Sequence, residues 1–142
     1  MRMWLVDPKI LCRQHLLGEH LEVHMFLTHL QKEKGIKGYL ENNCLEPRSI
    51  YQRHQNLMRE MIRRGYNHNS PMMETDFSCV GNLSIEHQYW EINKEKSLKT
   101  LLERCKECND RNVQIQFASH NHTVGEEKNG EVNNSESNKV ES

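Results

Sequence analysis

No apolar run in these 142 residues approaches the roughly 20 that a bilayer-spanning helix needs, which argues against a helical membrane anchor. The opening MRMWLVDPK has too short an apolar stretch for a secretory leader, so the expected location is inside a cell, in the cytoplasm or nucleoid of a bacterium or a virus-infected cell. An even cysteine set is also missing. Cys12, Cys44, Cys79, Cys105 and Cys108 are odd in number and irregular in spacing, which argues against a secreted disulfide framework and for free thiols in a reducing compartment. There is no internal repeat and no dominance of one charge. The net charge is −1, and setting aside a tail of −3 leaves +2, too little to name nucleic acid as a partner on charge alone.

What is present is a soluble composition, 35% hydrophobic and 27% charged, in a length that suits one core and not two. Residues 118–142, ASHNHTVGEEKNGEVNNSESNKVES, lack hydrophobic periodicity and read as a disordered acidic polar tail, leaving a domain over 1–117. Within it the signals are helical. Asp7-Pro8 reads as an N-cap with proline in the first turn, opening a helix to about Leu30 behind a short apolar arm at residues 1–6. Lys34-Gly35 and Lys37-Gly38 break the pattern around one turn from Ile36 to Asn43. Pro47 opens a second long helix, RSIYQRHQNLMREMIRR, stopped by Gly65 with Pro71 beyond. An irregular loop is expected from Tyr66 to Ser84, a third long helix from about Asn93 to Cys108, and a packing segment at QIQF, 114–117. The expected fold is all-α: a compact single-domain bundle of three long helices with an N-terminal arm.

The stretch HLLGEHLEVHMF, 15–26, carries the first chemical signal. At about 100° per residue His15, Glu19 and Glu22 fall within roughly 60° of one another, beside the apolar stripe of Leu16, Val23 and Leu27. Carboxylates are seldom buried without a partner or a task. From Pro8 to Glu22 a helix rises about 21 Å, and an extended seven-residue arm reaches about 23 Å, so an arm folded back along the helix brings Met1 beside Glu22. A free α-amine, with a pKa near 7.7–8.0, is partly unprotonated at neutral pH and nucleophilic, and next to a carboxylate it makes a plausible covalent site.

MRMWLV, then QHLLGEHLEVHMF, then MREMIRRGYNHN resembles the pyrimidine-dimer DNA glycosylase family, the phage endonuclease V type and its bacterial relatives, over about residues 1–70. The resemblance implies an all-α enzyme that cuts the glycosidic bond of a cyclobutane pyrimidine dimer and then nicks the strand as an abasic-site lyase. It implies that the α-amine of Met1 attacks C1′ and forms an imine, that Glu22 stabilises the cationic transition state and assists loss of the C2′ proton, and that Arg2 and His15 hold phosphate and substrate. Phage members start at Thr after methionine removal. Here Arg2 is too large for that removal, so Met1 itself would supply the amine. Two arginines flanking the catalytic glutamate in those enzymes correspond to Leu21 and Met25, and their basic aromatic C-terminal segment has no counterpart.

DNA contacts are therefore expected from Arg48, Arg53, Arg59, Arg63 and Arg64, a net +4 over 48–64. Trp4, Tyr39 or Trp90 offer a wedge or stacking platform, though such residues more often serve the core. No cofactor and no metal are assigned. Cys105-x-x-Cys108 with His120 and His122 has zinc-like ligand types, but one residue separates the histidines where a finger needs three to five. A metal on His15, Glu19 and Glu22 with His20 and His24 lacks an evident partner helix. The expected partner is damaged double-stranded DNA, with no membrane, bound by a monomer. The alternative is a non-catalytic helical module that binds DNA or protein.

Overall fold

The computed structural model describes residues 1–32 and 35–129, with side chains through Ala118; Lys34 of the expected break and residues 130–142 of the expected tail lie outside them. Among the described residues there is no strand. The helices are α1 (Arg13–Gln31), α2 (Lys37–Glu41), α3 (Ile50–Arg63), α4 (Ile85–Gln88), α5 (Lys94–Arg104) and α6 (Lys106–Asn129), with 3-10 turns at Pro8–Ile10, Pro47–Ser49 and Glu74–Asn82. None of these helices is long and apolar enough to cross a membrane.

Differences from the sequence pattern lie at the element ends. Asp7 caps only the turn at Pro8–Ile10, its carboxylate accepting the Lys9 N–H; the chain then extends through Leu11, and α1 starts afresh after Cys12. The third long helix is two helices, because Cys105 takes an extended conformation (φ −128°, ψ 107°) between α5 and α6. Helix α6 continues past residue 117 to Asn129 through a stretch without proline. The end of α3 follows the expectation, with Gly65 at φ +83°, a conformation a Cβ would disfavour.

Helix α1 packs on α3. Leu16, Val23, Phe26, Leu27 and Leu30 face Ile50, Leu57 and Met61 in one buried cluster, each fully buried apolar side chain contributing about 1.5–3 kcal/mol. The arm belongs to this core, since Met3, Trp4 and Val6 are all buried. Trp4 is thereby a core residue, while Tyr39 and Trp90 are half-buried against it.

Two of the five α3-region arginines serve the interior instead of a DNA face. Arg53, only 4% exposed, donates through Nε and Nη2 to both oxygens of buried Glu19 (2.6 and 2.9 Å) and through Nη1 to the Val6 carbonyl (2.6 Å). Arg64 donates to Glu60 (2.7 Å) and to the carbonyls of Pro8 and Leu11 (3.2 and 2.7 Å), satisfying the backbone where the chain breaks before α1. Their expected role at phosphate is corrected on this ground: Arg53 is buried with all three nitrogens bonded, and Arg64, 9% exposed, spends Nε and Nη2 on protein oxygens. Removing one partner of a buried ion pair strands the other charge. Arg53→Met should therefore cost about 3–5 kcal/mol in urea unfolding, and the double change Glu19→Leu with Arg53→Met should cost less than the single one.

Candidate active site

The arm reaches α1 because each of its polar groups is claimed by a different element. Met3 N–H donates to the Cys44 carbonyl (2.7 Å), the Trp4 carbonyl accepts from buried Ser97 Oγ of α5 (2.6 Å), and the Val6 carbonyl accepts from Arg53. Asn43 and Asn93 exchange two hydrogen bonds (3.1 and 2.7 Å), holding the segment beside Cys44 against the start of α5. Between these anchors Leu5 adopts φ +53°, a left-handed conformation costing about 1–2 kcal/mol for a residue with a Cβ. The surrounding bonds hold it there.

The result is one decisive contact. The Arg2 backbone N–H donates to Glu22 Oε1 at 2.8 Å. Met1 is a single residue upstream, so its backbone nitrogen and the carboxylate share one corner of the fold, as the arm length suggested. The Arg2 guanidinium lies over the Trp4 ring, 3.8 Å from its centroid, a cation–π arrangement. Its Nε is buried without a hydrogen-bond partner. Burial, reinforced by Arg104, pushes the Arg2 pKa down from its ordinary value against the pull of Cys44, Glu19 and Glu22. Leu21 and Met25, 61% and 40% exposed, are the apolar surface residues nearest Glu22 in the α1 sequence.

The three residues of the polar strip therefore have three fates. Glu19 is sealed against Arg53, Glu22 meets the arm, and His15 turns its Nδ1 to Cys12 Sγ (3.2 Å) and Cys108 Sγ (3.6 Å), with its ring edge-on to Trp4. That Nδ1 is spent on sulfur, which departs from a role in holding phosphate. The remaining arginines are more accessible: Arg48 stacks on Tyr89 (4.4 Å), exposed Arg59 donates to Asn56 (2.9 Å), and Arg63 reaches outward from a pair with Glu60 (2.6 Å).

On another face of α1, the Nε2 atoms of His20, His54 and His68 converge, and His24 lies alongside. Burial first, then His54, His24 and His68, push His20 down to about 4. His24 and His68 are lowered as well, by burial and then by His54. The sequence reading grouped neither this triad nor the cysteines with His15. Its missed signal was the matching spacing of Cys12-x-x-His15 and Cys105-x-x-Cys108; nothing local links His68 to His20 and His54.

The pyrimidine dimer DNA glycosylase family model matches residues 1–74, just over half of the chain. The chain belongs to that family. Membership makes it a DNA repair glycosylase by descent, with DNA as its substrate class. The matched segment holds the arm, Glu22, Arg53 and the three histidines, and stops before Cys105 and Cys108. No curated protein and no solved structure shows significant similarity to the chain.

The Trp4 carbonyl depends on Ser97, a buried side chain of a helix outside the family segment. Ser97→Ala should lower the unfolding free energy by about 1–3 kcal/mol, because the carbonyl is left buried without its donor. Urea denaturation checks it, and an unchanged midpoint would show that α5 does not hold the arm.

Proposed function

We propose that this glycosylase is bifunctional, removing a damaged base and then nicking the strand as an abasic-site lyase, with the Met1 α-amine as nucleophile and Glu22 as the catalytic carboxylate. The supporting observation is the 2.8 Å bond from the Arg2 backbone to Glu22, one residue from the amine. In a chain starting at Met1 the unprotonated amine attacks C1′ of the damaged nucleotide, and the N-glycosidic bond breaks with its electron pair leaving on the base. Cationic character develops at the sugar, and the Glu22 carboxylate offsets it. The amine nitrogen loses its protons as the sugar ring opens to an imine. Glu22 then assists removal of the C2′ proton, the C3′–O bond breaks by β-elimination, and water hydrolyses the imine to free Met1.

Arg2, whose buried Nε has no protein partner, suits a phosphate flanking the lesion. Arg48, Arg59 and Arg63 supply further backbone contacts, whereas Arg53, Arg64 and His15 are committed elsewhere in the fold. Exposed Leu21 and Met25 offer an apolar edge for a base displaced from the stack. The substrate in this reading is a cyclobutane pyrimidine dimer, or another damaged base, in double-stranded DNA inside a cell, and the enzyme acts as a monomer.

The test is borohydride trapping with untagged protein on a duplex carrying one defined pyrimidine dimer, followed by mass spectrometry of the linked peptide. The expected outcome is a cross-link at Met1. Glu22→Gln keeps an acceptor for the Arg2 N–H, so it should fold and bind DNA while losing about 10²-fold or more in strand cleavage. An extension before Met1 should abolish trapping. A cross-link with an abasic site alone would retain the lyase and reassign the lesion. No cross-link to either duplex, with DNA binding intact, would favour a non-catalytic module.

A further inference from the structure

Two pairs of equal spacing, Cys12-x-x-His15 and Cys105-x-x-Cys108, meet where the start of α1 touches the α5–α6 joint. The Cys12 Sγ–Cys105 Sγ distance is 3.9 Å, Cys12 Sγ–His15 Nδ1 3.2 Å and Cys108 Sγ–His15 Nδ1 3.6 Å, and all four ligand atoms lie within 4.8 Å of one another. A tetrahedral zinc with Zn–S near 2.3 Å and Zn–N near 2.0–2.1 Å has S···S edges of about 3.8 Å and S···N edges of about 3.5 Å. The three separations given match those edges to within about 0.3 Å. Its Sγ–Sγ separation is far beyond the roughly 2.05 Å of a disulfide, and all five cysteines are free thiols.

The surroundings suit thiolates. Backbone N–H groups point at each sulfur: Cys12 N–H at Cys108 Sγ (3.2 Å), His15 N–H at Cys12 Sγ (3.5 Å) and Cys108 N–H at Cys105 Sγ (3.4 Å). Such outer bonds fix and stabilise metal-bound sulfur. We propose that Cys12, His15, Cys105 and Cys108 bind one Zn²⁺ in a closed structural site. Four protein ligands leave no open position, and each thiol gives its proton to solvent on binding. The ion ties the first turn of α1, about 10.5 Å along the axis from Glu22, to helices beyond the family segment.

The test is independent of whether Met1 is a nucleophile. Untagged full-length protein from zinc-supplemented cells is assayed for metal, then its thiols are blocked with a mercurial in the presence of a chromogenic zinc chelator. One equivalent of zinc should be released by the blocking step, and Cys105→Ser with Cys108→Ser should lack it. That variant risks unfolding, so cobalt is also exchanged into the wild-type protein, where thiolate-to-cobalt charge transfer with tetrahedral ligand-field bands is expected. No zinc released by thiol blocking, cobalt bound without a sulfur band, or a disulfide within the set in non-reducing mass spectra would each overturn the proposal.

A separate observation carries a second site. The Nε2 atoms of His20, His54 and His68 form a triangle with sides of 3.2, 3.0 and 3.3 Å, against about 3.3 Å for three imidazoles on one tetrahedral zinc. The Ser70 carbonyl lies 3.0 Å from His54 Nε2 and accepts from it when that nitrogen carries the proton; with the proton on Nδ1 instead, donated to Gln55 Oε1 at 2.7 Å, the Nε2 lone pair is available to a metal. We infer that the triad takes a second divalent cation of the zinc type, with the fourth position left to water. Half-buried His68 lies on a loop, so His68→Ala should fold and drop the metal content from two to one per chain, leaving the thiol-released zinc unchanged. A wild-type content of one, or two retained by the variant, would overturn it.

Discussion

A guanidinium with nowhere to go but inward governs this fold. Arg53 enters the α1–α3 interface because Glu19 projects into the same space, and the pair carries a desolvation cost that only near-ideal geometry offsets. Two parallel hydrogen bonds supply that geometry. The third donor goes to the Val6 carbonyl, so one side chain joins α3, α1 and the end of the arm. The arm's direction follows from this point. With Val6 held, Trp4 and Met3 drop into the core, and Arg2 can only emerge beside Glu22.

Helix α1 is an organiser with several chemistries around its circumference. Its apolar stripe faces α3, its first turn offers Cys12 and His15 to the α5–α6 joint, Glu19 takes Arg53, Glu22 meets the arm, and His20 faces His54 and His68. A helix so used cannot show a clean division into wet and dry faces. The buried Glu19 and His20 are tolerated because each has partners from a distant part of the chain, Arg53 for one and His54 and His68 for the other.

The helical class, the Gly65 stop and the meeting of arm and Glu22 were legible because each rests on local spacing or on the reach of a short segment. The burial of Arg53 and Arg64 was not. Both sit in a run of arginines whose composition suits a solvent or DNA face, and only packing shows that Glu19 and the carbonyls before α1 lie within reach. The break at Cys105 was equally hidden. The residues around it have good helix-forming composition, and the extended backbone there accompanies the approach of Cys105 Sγ to Cys12 Sγ across the chain.

Rigidity of the site follows from how differently its two sides are held. Glu22 stands on a helix packed against α3 throughout its middle, so its backbone moves only if the core moves. Met1 lies on the arm, which bonds to Cys44, Ser97, Arg53 and Glu22 fix over Arg2 to Val6, while the half-buried Met1 side chain packs against the core beyond the last of these bonds. In the mechanism proposed above, a Met1 amine so placed would have its reach confined to the neighbourhood of the carboxylate, which is the positioning that attack on C1′ requires.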